Sequence, residues 1–142
     1  MSEQSATPDR TAVCKVLKAS TPFIGKSGFS YAPAISAETV GSSAIHMQLL
    51  TIPPGGRAKA HKHEAHETAI YVLSGEGAMY YGERLEHHLV SHAGEFMYVP
   101  ANVPHQPYNM SQTEPCVAVV ARTDPNEQES VVLLPELDAI HA

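Results

Sequence analysis

The sequence predicts an all-β fold, a sandwich or a barrel, and three observations carry that reading. Short runs rich in β-branched and aromatic residues recur at close, even spacing along the 142 residues. The breaks between them carry turn chemistry, as in Pro53-Pro54-Gly55-Gly56, Ser74-Gly75-Glu76-Gly77 and Asp124-Pro125-Asn126. No long stretch keeps an apolar period of 3.6 residues; only residues 134–140 could form one terminal turn.

Taken in order, residues 1–10 have no core-forming pattern and read as a flexible arm, leaving 11–142 as one domain. Residues 12–18 alternate enough to form a short strand. Residues 25–43 are rich in Gly, Ser, Pro and Ala and read as loop. Strands then follow at 44–52, 58–63, 68–73, 78–81, 87–92, 96–99, 116–122 and 131–134. In the first of these, His46 and Gln48 alternate with Met47 and Leu49. One of the two sets must therefore line the interior.

Composition narrows the function classes. A formal net charge of −6 gives no electrostatic reason to bind nucleic acid or anionic lipid. No apolar run reaches the length of a membrane span, and the first residues lack the order of a signal peptide, so a cytoplasmic protein is expected. Cys14 and Cys116 lie far apart in apolar surroundings and read as buried free thiols.

The chemistry concentrates in two stretches. In Gly55–Glu67, His61 and His63 stand at i and i+2, so an extended strand projects both from one face toward a common ion. Glu67, four residues on, could close toward it. The second stretch, Gly94–Asn109, brings His105. Together they describe a metal site assembled from two distant strands.

These stretches resemble the paired motifs of the cupin superfamily. Gly55, His61, His63 and Glu67 follow the first motif in order; Gly94, Pro100, His105 and Asn109 follow the second. Asn102 stands where that motif has Gly, a mild change because Asn tolerates the left-handed conformation. The resemblance implies a double-stranded β-helix, or jelly-roll barrel, with a divalent transition metal inside its mouth. His61, His63, Glu67 and His105 would be the ligands. One spacing departs from the pattern: seven residues, not six, separate Glu67 from Gly75. Counting back from Gly75 puts Thr68 at the carboxylate position. Alternation from there turns His66, Thr68, Ile70 and Val72 inward and Glu67 out. Either a bulge re-aims Glu67, the preferred reading, or His66 supplies the fourth ligand.

Three histidines and a carboxylate suit Fe, with Mn, Ni or Zn as alternatives, and leave positions open for substrate. Within the superfamily such a site implies chemistry on a small polar organic molecule. An Fe(II)-type dioxygenase leads, ahead of a non-redox isomerase or lyase and of a non-catalytic binding module. His66 could instead hold a ligand by hydrogen bond. Asn109 is expected to fix the turn after His105, His87 and His88 to lie on a solvated strand edge, and the charged string 124–130 to be a solvated loop. Small cupins commonly pair through their sheets, and the detached strand at 12–18 could cover a partner's sheet edge, so a homodimer is expected.

Overall fold

The computed structural model describes residues 12–142, so the arm expected at 1–10 lies outside the described residues. Its strands are β1 (Phe23–Ile24), β2 (Ser30–Ile35), β3 (His46–Ile52), β4 (His61–Lys62), β5 (Thr68–Ser74), β6 (Glu76–Tyr81), β7 (His87–His92), β8 (Phe96–Val99), β9 (His105–Tyr108), β10 (Cys116–Arg122) and β11 (Val132–Leu133). One α-helical turn, α1 (Ala37–Val40), follows β2, and a 3₁₀ turn, Pro135–Leu137, follows β11. The strands form two antiparallel sheets, of order β1-β2-β3-β10-β5-β8 and β11-β4-β9-β6-β7. This is the jelly roll the motifs imply.

Alternation builds the first sheet. In β3 the burial pattern is strict: His46, Gln48, Leu50 and Ile52 face in, and Met47, Leu49 and Thr51 face out. The polar pair therefore takes the interior, His46 Nε2 lying 2.9 Å from Gln48 Oε1. Leu50, Ile52, Val72, Cys116 and Val120 pack with Phe29 and Ala58 into the main core. In β5, Thr68 and Val72 point inward, as counting back from Gly75 predicts. A bulge does occur in β5, but at Leu73, because Val117 pairs with Ser74 and Ala118 with Val72. It lies too far along the strand to re-aim Glu67. Gly75, just beyond, has φ of 77°, and a Cβ there would meet the Pro115 carbonyl oxygen at 2.3 Å.

Several expected elements differ. Residues 12–18 form no strand; they run as exposed chain, with Val16 fully open to solvent. Cys14 sits on this segment and is exposed, so only Cys116 is the buried thiol expected of both. The stretch read as loop holds β2 and α1. Pro33 occupies the middle of β2, and its carbonyl accepts from Ser20 N, with a register shift between Pro33 and Ile35. α1 opens on a capping box between Ser36 and Thr39 and closes on Gly41 at φ of 71°. Of residues 58–63 only His61–Lys62 pair as strand.

The strands of the first sheet put no charge on its outer face, and Glu67, just ahead of β5, brings one carboxylate to the Tyr98 hydroxyl there. Across β3, β10, β5 and β8 the sole Asp, Glu, Lys or Arg is Arg122, and its side chain is buried. Met47, Leu49, Leu73, Phe96 and Tyr98 stand exposed there, Phe96 at 79 %.

Candidate metal centre

The second sheet places the histidines. His61 on β4 and His105 on β9 are direct register partners, and His63 follows His61 by two residues. Their rings converge at an angle to one another: centroids are 4.3 Å apart for His61 and His105, and 5.1 Å for His63 with either. One nitrogen from each lies within 4.8 Å of the others, and all three side chains are buried. The structure thus brings together three of the four residues that the motifs single out.

Their orientation favours a cation. His61 Nδ1 lies 2.6 Å from the Lys59 carbonyl, His105 Nδ1 2.9 Å from that of Val103, and His63 Nδ1 3.2 Å from that of Ser130. A carbonyl can only accept, so each Nδ1 carries the proton and each Nε2 keeps a lone pair. Burial pushes the His61 imidazole down to about 4; burial and the neighbouring histidines hold His105 well below its ordinary value, and burial lowers His63 as well. Near neutral pH the cluster presents three neutral nitrogen donors, the set that a divalent transition metal takes.

Glu67 does not join them. It is exposed, and its Oε1 accepts from the Tyr98 hydroxyl at 2.6 Å on the outer side of the sheet. The regular pairing of Thr68–Tyr71 with Val99–Phe96 leaves no irregularity to turn it. His66 is buried beside His63, but its Nε2 contacts Glu129 Oε2 at 2.9 Å. Glu129 was not foreseen. It belongs to the charged string read as solvated loop, yet its carboxylate also lies 3.4 Å from His63 Nδ1 and 3.5 Å from Arg122 Nε. Burial alone would push that carboxyl up; the His66 hydrogen bond and the charges of His63 and Arg122 bring it down to about 2. No spacing signal marks this residue, because loop closure rather than strand register delivers it.

The second motif behaves as read. Asn102 takes φ of 68°, and its N–H donates to the His63 carbonyl at 2.7 Å, tying the turn before His105 to the first motif. Asn109 Nδ2 donates to the carbonyls of Ile52 and Glu114, and its Oδ1 accepts from Ser111 N, which holds the chain after β9. His88 is exposed and contacts the Tyr108 hydroxyl at 2.7 Å.

Between the sheets and beside the three histidines lies a cavity of about 80 Å³. Its wall is chiefly apolar, with Leu50, Ile70, Met79, Met97, Val99 and Val120 among its residues. Gln48, Thr68, Arg122 and Glu129 add polar groups.

The family model for the cupin domain matches residues 48–122, just over half of the chain. The chain belongs to the cupin family. Among curated proteins, this cupin is 26% identical over 133 residues to auxin-binding protein 4 of Zea mays, covering 88% of this chain and 64% of that one. Among solved structures it is similar to an oxalate decarboxylase of Bacillus subtilis, with TM-score 0.66 and 25% identity over 80% of this chain. A formate complex of the Lactobacillus farciminis oxalate decarboxylase matches with TM-score 0.65 and 18% identity over 80% of this chain, a likeness of fold alone. This cupin spans 30% and 33% of those two chains. Another of the Bacillus subtilis structures concerns Mn(II) centres in that enzyme. Among the described residues no helix is long and apolar enough to cross a membrane.

Proposed function

We propose that this cupin is a metal-dependent dioxygenase of the Fe(II) type. Its substrate would be a small organic molecule with an apolar body and an oxygen-bearing head. His61, His63 and His105 are the protein ligands in this reading. When bound, the ion would supply the means to hold a chelating substrate and activate dioxygen. The apolar wall takes the substrate's body and excludes water from its head.

The observation that carries this reading is the convergence of His61, His63 and His105 beside a cavity with a chiefly apolar wall. Besides the three histidines, the titratable side chains lining it among the described residues are Tyr31, Cys116, Arg122 and Glu129. Burial pushes Tyr31 up to about 12 and raises Cys116, while its partners keep Glu129 ionised down to about 2. Burial lowers Arg122 from its ordinary value, and the Glu129 and Asp124 carboxylates beside it hold the guanidinium cationic against that. A lyase or isomerase needs an acid or base near its working pH; oxygen chemistry makes no such demand of the wall.

A lyase is the second reading, favoured by the likeness to a decarboxylase with Mn(II) centres. Metal-free protein would be loaded under argon with Fe(II), Mn(II) or Zn(II) and offered diketones, thiols, hydroxy acids and oxalate. The dioxygenase reading requires oxygen uptake with Fe(II) and substrate together. Turnover under argon with Mn(II) or Zn(II) would replace it with the lyase.

We further propose that two copies pair through the largely apolar outer face of the first sheet, which exposes Met47, Leu49, Leu73, Phe96 and Tyr98. Supporting this, the same chain carries a second uncovered apolar surface, the exposed segment with Val13, Val16 and Leu17 ahead of β1. Interfaces between identical chains are the most apolar class, and they favour Tyr, Phe and Met, which this face displays.

A further inference from the structure

We infer that Glu129 is the positioning carboxylate of the metal site: clamped by His66 and Arg122, it holds the His63 ring and sets how tightly the ion is bound. This rests on the reading of His61, His63 and His105 as ligands.

The three histidines are not held alike. His61 and His105 each bond to the carbonyl two residues earlier in their own segment, so their rings are fixed by local backbone. His63 has no such local partner. Its Nδ1 faces Ser130 O at 3.2 Å and Glu129 Oε2 at 3.4 Å, both far along the chain on the strap between β10 and β11. The orientation of one donor therefore depends on where the strap sits.

The strap is built to place Glu129. Asp124 caps it from within, Oδ1 accepting from Asn126 N and Oδ2 from Ser130 N. The Arg122 guanidinium donates through one terminal nitrogen to the carbonyls of Asn126 and Glu127, bending the strap around itself. Its buried Nε has no hydrogen-bond partner and faces the Glu129 carboxylate at 3.5 Å. His66 completes the clamp, its Nε2 at 2.9 Å from Glu129 and its Nδ1 at 3.8 Å from Asp124. Outside the barrel, Ser36 Oγ donates to the Glu127 carboxylate, and Pro125 O accepts from Ala37 N.

A carboxylate beside the Nδ1–H of a ligating imidazole fixes its tautomer and makes Nε2 a stronger donor. Glu67 cannot do this from the outer face, and Thr68, which takes the inward position, has no charge. Among the described residues Glu129 is the one acidic side chain in the cavity wall. It also explains His66, which the register turns inward without giving it a place among the three donors.

The test is Co(II) titration of metal-free protein, followed by visible absorption and by X-ray absorption at the cobalt edge. Glu129→Gln keeps the shape and removes the charge; it should weaken Co(II) binding by about 10–100-fold and shift the visible bands, with nitrogen donors unchanged in number. Glu129→Asp should recover part of the loss. Glu67→Gln should bind as wild type does. Circular dichroism and melting curves confirm that each variant is folded. Wild-type affinity in Glu129→Gln would overturn the inference, as would loss of an oxygen ligand on that substitution, which would make Glu129 a direct ligand. Wild-type protein that takes up no Co(II) would overturn the ligand reading itself, and this inference with it.

Discussion

His61 and His105 face one another across β4 and β9 as register partners, with ring centroids 4.3 Å apart. Each ring is turned by the same device, an Nδ1 bond to the carbonyl two residues back, Lys59 in one case and Val103 in the other. Antiparallel pairing sets the distance between them and local backbone sets their rotation. The two donors are therefore ready before any cation arrives, and binding need not fix their rotamers.

Removing a donor should empty the site without unfolding the barrel, because the main core is built from apolar side chains and not from the histidines. His61→Ala, His63→Ala and His105→Ala should each lower metal affinity by more than the roughly 10–100-fold that loss of a supporting partner costs. Elemental analysis after gel filtration, with far-ultraviolet circular dichroism in parallel, reads both effects. Retention of metal by any of the three would remove that residue from the ligand set.

Acid should act on the metal-free protein in a defined window. The unfolded chain protonates His61 at about its ordinary 6.5, whereas the folded chain resists until about 4. The unfolded state therefore binds more protons between those values, and stability falls as pH drops through them. At about 1.4 kcal/mol per pH unit, His61 alone accounts for roughly 3 kcal/mol. His63 and His105 shift the same way and add to it. Glu129, depressed to about 2, acts only further into acid, below its usual 4.5. Urea melts at pH 7.5, 6, 5 and 4 measure the slope, and a flat midpoint across that range would contradict the burial of neutral imidazoles.

Asn102 offers a test of backbone rather than side-chain chemistry. Its φ of 68° suits Gly, so Asn102→Gly should change stability little. Asn102→Val should cost about 1–2 kcal/mol, since a β-branched residue pays fully for the left-handed conformation. The same change should weaken metal binding, because the Asn102 N–H anchors the His63 carbonyl. Equal metal affinity in the Gly and Val variants would separate that turn from the site.

Pairing through the first sheet predicts that Phe96→Glu yields a folded monomer. Phe96 is 79 % exposed in one copy, so the charge costs little there but would be buried between two. Sedimentation at micromolar concentration distinguishes the outcomes. A wild-type monomer, or a dimer indifferent to this substitution, would reject the face.

The sequence carried the parts of this structure that period and punctuation encode. Residues 87–92, 96–99 and 116–122 alternate between clear turns, and they are β7, β8 and β10 to the residue. β2 was hidden by Pro33 and its Gly- and Ser-rich flanks, and β9 by Pro107, since proline inside a run argues against a strand. The site divides in the same way. His61, His63 and His105 sit at fixed spacings; counting back to Gly75 turns Glu67 outward, but the preferred reading brings it in through a bulge, and β5 has its bulge at the other end. Glu129 was not legible, because its place depends on Arg122, Asp124 and Ser36 closing a strap far from the motifs.

That strap also sets an order of events during synthesis. His63 precedes Ser130, its backbone partner, by 67 residues. At about 5–20 residues per second, the ribosome delivers the imidazole roughly 3–13 seconds before the carbonyl that orients it. Ser36 waits longer still for Glu127, 91 residues on. A nascent chain thus displays His61 and His63 while the wall that shapes their site is still unmade. Any ion captured in that interval meets loose imidazoles, and only the finished chain confronts it with a fixed set of donors.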